Sequence, residues 1–395
     1  MNKKIKRIFL SLIFSIILFS FGSVTNISFA EDNITSVLGN DEIQSEVDSL
    51  YNYINTMKSD IELMNELDPV SYIKAYMEDG KGNISLSKIG GAVVSLLLKE
   101  VKSVLGLSFS IIAIGIISAL LKSLQEAFNS EGISEVAFYA CYALMIVILT
   151  KTFLISLDMA KDVITNVVEF MSKLLPVLVL MLGAAGGLTQ AATMDPIVLG
   201  ATILIPQLYL NIIIPLILSS FVLQFANNMT NGSKLNNLCD IAKKSTIWIQ
   251  GIIITIFIGL LTVRGITSST IDAVTLKTTK FAIDNFIPIV GKSFSDAISS
   301  VAGYSLIIKN AIGSIGLIVI ILIILYPIIK IVLSSIIFKL SASLLEPIAD
   351  KRITKSIAAA GESLTLIMSC VLCVSLMFFL LIAMMVQAGK FVIGG

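Results

Sequence analysis

Seven apolar runs set the terms for this chain: residues 104–121, 136–156, 174–192, 197–223, 247–263, 311–329 and 364–386. A helix needs about 20 apolar residues to cross the ~30 Å hydrocarbon layer, so several of these runs can span it. Inside that layer the backbone has to satisfy its own hydrogen bonds, which leaves only helices or a closed barrel. The short alternating segments of a barrel are absent. The chain therefore reads as an all-α, polytopic helical membrane protein of about seven spans. Residues 331–348 are also apolar but carry Lys339 in mid-run, and read as an interfacial helix or a short further span. Composition agrees: 56% of side chains are hydrophobic and 14% charged, where soluble domains hold about half and a quarter.

The amino terminus has its own pattern. Lys3, Lys4, Lys6 and Arg7 precede an apolar core, and Ser28-Phe29-Ala30 offers a small-x-small site. Residues 1–30 thus read as a signal peptide cleaved after Ala30. Residues 31–103 follow as an acidic helical extracytoplasmic segment. Ten acidic residues lie between Glu31 and Asp68 against the single Lys58. Ile43, Val47, Leu50, Ile54, Met57, Ile61 and Met64 recur at spacings of four and three over three heptads. Three heptads are marginal for a free coiled coil, so the stripe reads as one amphipathic helix packed on its own protein. Lys and Arg are spread evenly along the rest, and the positive-inside rule gives no orientation.

The first multi-span block, 104–263, departs from plain lipid-facing helix in one place. Between 174 and 223 come Pro176, Gly183-Ala184-Ala185-Gly186-Gly187, Gln190, Asp195-Pro196, Pro206, Gln207, Asn211 and Pro215. Gly183-x-x-x-Gly187 permits close helix approach. Interrupted spans with intramembrane amides also line substrate paths in transporters. Gly183, Gly187, Gln190, Gln207 and Asn211 are therefore candidates for packing or for a conduit. The buried amides need partners in either case, because an unpaired amide in hydrocarbon is costly.

Residues 264–310 are patterned rather than uniformly apolar. Ile271, Val274 and Phe281 fall on one helical face, and Lys277, Lys280 and Asp284 on another. Asn285-Phe286-Ile287-Pro288-Ile289-Val290-Gly291 breaks the run, because Pro288 cannot donate a hydrogen bond and disfavours helix at Ile287. Ser269-x-x-Asp272 and Ser293-x-x-Asp296 each look like a helix start. The expectation is a pair of short amphipathic helices hinged at Pro288 and Gly291 and riding at a membrane interface. A carboxy-terminal multi-span block, 311–395, completes the chain.

Several chemistries are excluded. With no histidine among 395 residues, catalysis, metal ligation and proton relay by imidazole have no carrier. No phosphate-binding glycine loop and no serine-nucleophile elbow is present. Net charge of +1 and no basic patch argue against nucleic acid. Cys370-x-x-Cys373 sits inside an apolar run and reads as packing rather than a redox or zinc half-site. No catalytic, cofactor or metal residue is assigned.

The chain resembles the stage III sporulation protein AE family. The resemblance rests on Asp272 with Thr275-Leu276-Lys277, Lys280-Phe281, the 285–291 hinge, Asp296-Ala297, Lys309-Asn310, Gly313 and Gly316, and the closing 374–380 run. It implies a non-enzymatic, multi-pass subunit of a secretion-like channel between mother cell and forespore, needed for late forespore gene expression. It places the protein in the mother-cell-derived outer forespore membrane. The implied partners are ring-forming subunits, a mother-cell ATPase and a forespore-side protein, together with the lipid bilayer. The residues themselves leave open a free-standing small-molecule permease or a purely structural membrane scaffold. If 264–310 lies at an interface, cysteines placed at 277, 284 and 292 should react with a hydrophilic thiol reagent; protection of all three from both sides of the membrane defeats that placement.

Overall fold

The computed structural model describes residues 41–60, 86–128, 131–229, 235–286 and 291–388. The described residues are helical, with no strand among them. In order they form α1 (Asp41–Asp60), α2 (Leu86–Phe128), α3 (Glu131–Ala184), α4 (Leu188–Leu208), a π-helix (Tyr209–Ile213), α5 (Ile214–Met229), α6 (Asn236–Phe286), α7 (Gly291–Leu345) and α8 (Lys351–Gln387). The signal peptide, Ala30 and Pro288 lie outside the described residues.

Six helical stretches are long and apolar enough to cross a membrane: Val94–Leu120, Phe138–Ala184, Gly200–Met229, Asn236–Val263, Ser300–Leu345 and Lys351–Gln387. The chain is thus an all-α polytopic membrane protein. Several of the apolar runs are not separate elements. Run 174–192 is divided between the end of α3 and the start of α4, and runs 311–329 and 331–348 share α7. Hydropathy breaks a span at charge, whereas a helix carries on through charge if its polar side chains face outward. In α3 that is what happens: Asp158, Asp162, Asn166, Glu169 and Lys173 are exposed, while Val163, Val167 and Phe170 beside them are buried.

Helix length then makes a second point. α3 has 54 residues and α7 has 55, so at 1.5 Å per residue each runs about 80 Å, well over twice the hydrocarbon thickness. Much of each helix therefore extends beyond the lipid.

Side-chain contacts give the layout. α7 and α8 form an antiparallel hairpin: Ser335 Oγ donates to the Gly361 carbonyl at 2.7 Å, and at the far end Lys309 Nζ donates to the Ala388 carbonyl. α3 lies parallel to α8, with Tyr142 Oη 2.9 Å from Ser356 Oγ near their amino-terminal ends. α2 joins α7 through Ser108 and Ser341, whose hydroxyls are 2.8 Å apart. α5 packs on α3 by stacking Phe221 on Phe153, ring centroids 3.8 Å apart. α8 is the central element: 67% of its most apolar window is buried, against 22% for α6.

The amino-terminal stripe closes on the protein itself. Val47, Leu50, Ile54 and Met57 are buried in the common core, and α1 packs on α3, where Tyr53 Oη donates to Glu169 Oε2 at 3.2 Å. The expected pair of short hinged helices differs in one respect. α6 ends at Phe286 and α7 begins at Gly291, on either side of the Pro288 break, but each is the end of a helix of more than fifty residues. Ser269 lies well inside α6 rather than at a helix start.

Replacing Leu50 and Ile54 together with alanine removes two buried side chains, each worth about 2–5 kcal/mol in a packed core. The expected result is that α1 detaches from α3 and is cut by added protease at concentrations that spare the wild type. Equal resistance would mean that the stripe does not hold α1.

Candidate functional site

A helix leaves four N–H groups at its start and four carbonyls at its end without intrahelical partners. In this bundle two such ends are met by buried charges. α3 ends at Ala184 and the chain turns through Ala185, Gly186 and Gly187 into α4. Gly186 sits at φ 89°, in the left-handed region that glycine adopts without strain. A Cβ on Gly187 would lie 2.9 Å from the Leu182 side chain and 3.1 Å from its carbonyl oxygen, so a larger residue there crowds the end of α3. The first amides of α4 then point at α6, where Asp272 receives them. Thr189 N–H donates to Oδ1 at 2.8 Å and Gln190 N–H donates to Oδ2 at 2.9 Å.

Asp272 is only 2% exposed. Its carboxylate supplies the negative charge that a helix amino terminus favours, from a helix eighty residues away in sequence. Neighbouring Ile271, Val274 and Lys277 face outward. The carboxylate, not the apolar stripe, therefore turns into the protein at this point. At the opposite kind of end, Lys309 of α7 is fully buried and donates to the carbonyl of Ala388, the residue that caps α8. A cation there complements the negative end of the helix dipole. Asp272 and Lys309 both belong to the block 272–316 on which the family resemblance rests.

A second polar group lies further along the bundle. Gln250 of α6 is buried, and its Oε1 accepts from Ser369 Oγ at 3.1 Å and from Cys373 Sγ at 3.4 Å. Tyr209, presented by the π-helix, is also fully buried and lies beside Cys370 and Cys373. Both thiols are free and enclosed.

The five residues weighed for packing or conduit are not brought together. Gly183 lies in the last turn of α3, where a Cβ would come within 3.9 Å of Leu188 and Ala191 of α4, and Gly187 lies in the turn between the two helices. Gln190 is buried at the start of α4. Gln207 and Asn211 are exposed on the outer side of α4 and the π-helix. Of the hinge residues, Lys277 is exposed and Gly291 opens α7; nothing is described for the side chains of Lys280, Asp284 and Asn285. Sequence reading missed Tyr209 and Gln250, although a phenol and an amide inside apolar runs are the kind of signal that marks an interior polar contact.

A sequence profile described as Stage III sporulation protein AE matches residues 67–389. This chain belongs to the stage III sporulation protein AE family. It is 31% identical over 299 residues to Stage III sporulation protein AE of Bacillus subtilis (strain 168), covering 76% of this chain and 75% of that relative. No solved structure matches. The family match takes in both charged caps, the glycine turn and the Tyr209–Gln250–Cys373 cluster.

Asp272→Ala leaves two amides at the start of α4 without their acceptor and should lower stability by about 1–3 kcal/mol. Asp272→Asn keeps an acceptor oxygen but loses the charge, and should fall between alanine and wild type. Thermal unfolding of the three detergent-purified proteins checks the order; an alanine variant as stable as wild type removes the cap from the account.

Proposed function

We propose that this protein is a multi-pass membrane subunit of the sporulation channel complex that links mother cell and forespore. It serves in the mother-cell-derived outer forespore membrane and is required for late forespore gene expression. The observation that carries the reading is the family match over 67–389, which spans every candidate membrane crossing. Helices of 54 and 55 residues support it physically. A rigid helical stalk rising beyond the bilayer gives partner proteins a surface to dock on without a separate folded domain. α1 contributes to that stalk: its apolar stripe is spent on α3, which leaves its acidic outer face for a partner.

In this role the protein works with ring-forming subunits, a mother-cell ATPase and a forespore-side protein. No chemistry is assigned to the chain itself. Its contribution is placement: a membrane core that anchors the assembly and helices that carry it across the intermembrane space. The section of α6 and α7 around the Phe286–Gly291 break, with Ile271, Val274 and Lys277 facing outward, forms an amphipathic rim at the membrane surface.

The test is made in sporulating cells. Affinity purification of the tagged full-length protein should bring down ring-forming partners, and a deletion strain should complete engulfment yet fail to switch on a late forespore reporter. A protein that purifies alone as a monodisperse species, or a deletion strain with normal late expression, rejects the proposal.

A further inference from the structure

Gly200–Met229 is a single crossing built from the end of α4, the π-helix and α5. Its inner edge is buried at every fourth residue: Ile205, Tyr209, Ile213, Ile217, Phe221 and Phe225. Its outer edge keeps the same step, and Gln207, Asn211, Pro215 and Ser219 are all exposed. A strict four-residue step drifts around an ordinary 3.6-residue helix. The wider π-turn at Tyr209–Ile213 takes up part of that drift, so both edges hold their direction. Pro215 has no N–H to give the Asn211 carbonyl, which is the local cause of the wider turn.

The two amides on the outer edge are the anomaly. Four exposed hydroxyls along the crossings bond within their own helix. Ser110 donates to the Gly106 carbonyl, Thr255 to Gly251, Thr262 to Ile258 and Ser219 to Pro215. Gln207 and Asn211 make no side-chain hydrogen bond to any described residue, and apolar sequence flanks them on both sides. An amide that faces hydrocarbon has no water to turn to, and leaving it unpaired is costly. Such groups act as glue between membrane helices.

We infer that this edge is where a second copy of the same chain docks, α4–α5 against α4–α5, with Gln207 and Asn211 pairing across a two-fold axis normal to the membrane. Two facts select a second copy. A primary amide is both donor and acceptor, so it complements itself. Two copies inserted in the same orientation also hold Gln207 and Asn211 at identical depths, which an isologous contact requires. Exposed Ile203, Leu204, Leu218 and Val222 on the same crossing pack around the paired amides. The inference rests on residues 200–229 lying in lipid and stands apart from the sporulation role.

The experiment uses the full chain reconstituted in liposomes. Asn211→Cys should form a disulfide-linked dimer on mild oxidation. The wild type, whose four cysteines are buried, and Trp248→Cys on the exposed face of α6 should not. In parallel, Gln207→Leu with Asn211→Leu should weaken self-association on lipid dilution by on the order of tenfold or more, as energy transfer between labelled copies reports. Unchanged thermal unfolding of that variant confirms that it still folds. A wild type that is monomeric at every protein-to-lipid ratio overturns the inference. So do equal cross-linking of Trp248→Cys and Asn211→Cys, undiminished association of the leucine variant, or Asn211→Cys cross-links in sporulating cells made solely to a different protein.

Discussion

Away from water every backbone polar group needs a partner within the protein, and the ends of helices are where that requirement is hardest to meet. The bundle answers it by importing charge. Asp272 reaches from α6 to the first amides of α4, and Lys309 reaches from α7 to the carbonyl of Ala388, which caps α8. Each charge would be expensive alone in such a place, and each helix end would be too. Brought together they cancel, which is how a chain so poor in charge comes to bury a carboxylate at 2% exposure and an ammonium at 0%. The two caps also fix geometry. α4 cannot start elsewhere without abandoning Asp272, and the glycine turn at 186–187 is shaped to deliver it there.

The same solvent logic explains why the helices are so long. In lipid, burying leucine against leucine gains little, because the tails are as apolar as the side chain. Packing is decided by small residues, by aromatic stacking such as Phe153 on Phe221, and by hydroxyl pairs such as Ser108 with Ser341. Where a helix face meets water the hydrophobic effect returns, and α1 lays the apolar side of its amphipathic stripe, Leu50 and Ile54, onto α3. One helix, α3, serves both regimes. It keeps a continuous buried edge from Tyr142 to Leu182 while its outer face turns charged between Asp158 and Lys173.

That continuity marks the limit of what the sequence disclosed. Fold class was legible, because apolar runs of this length admit little besides crossing helices. The α1 stripe was legible too, since heptad spacing needs no knowledge of the partner. Helix count was not. A charged stretch looks like a loop to hydropathy, and only the arrangement of Val163, Val167 and Phe170 inside it betrays a helix carrying on. The caps were half legible. Asp272 stood out, but pairing it with Ser269 assumed that a cap serves the helix it begins, whereas it serves α4 from 82 and 83 residues away. Gln190, Gln207 and Asn211 stood out in the sequence as amides inside apolar runs; Gln190 is buried and the other two are exposed. The direction of Asn211 relative to Gln207 depends on where the π-turn falls, and nothing in composition marks that.

Direction is what separates these polar groups. Gln250 turns inward and finds Ser369 and Cys373 on α8, so its bonds hold two helices of one chain together. Asp272 turns inward and begins a helix. Asn211 carries the same chemistry as Gln250 and lies in an equally apolar setting, yet it faces out. Folding gives the Gln250 oxygen two donors on α8, although its Nε2 is buried without a partner among the described residues, and replacement by leucine removes that link between helices. An outward amide in lipid is satisfied only by association, so its replacement should leave the folded chain intact and remove an interface. The period-four alternation of 205–225 makes that assignment residue by residue, because a shift of two positions would put Asn211 where Ile213 is buried and Tyr209 where Asn211 is exposed.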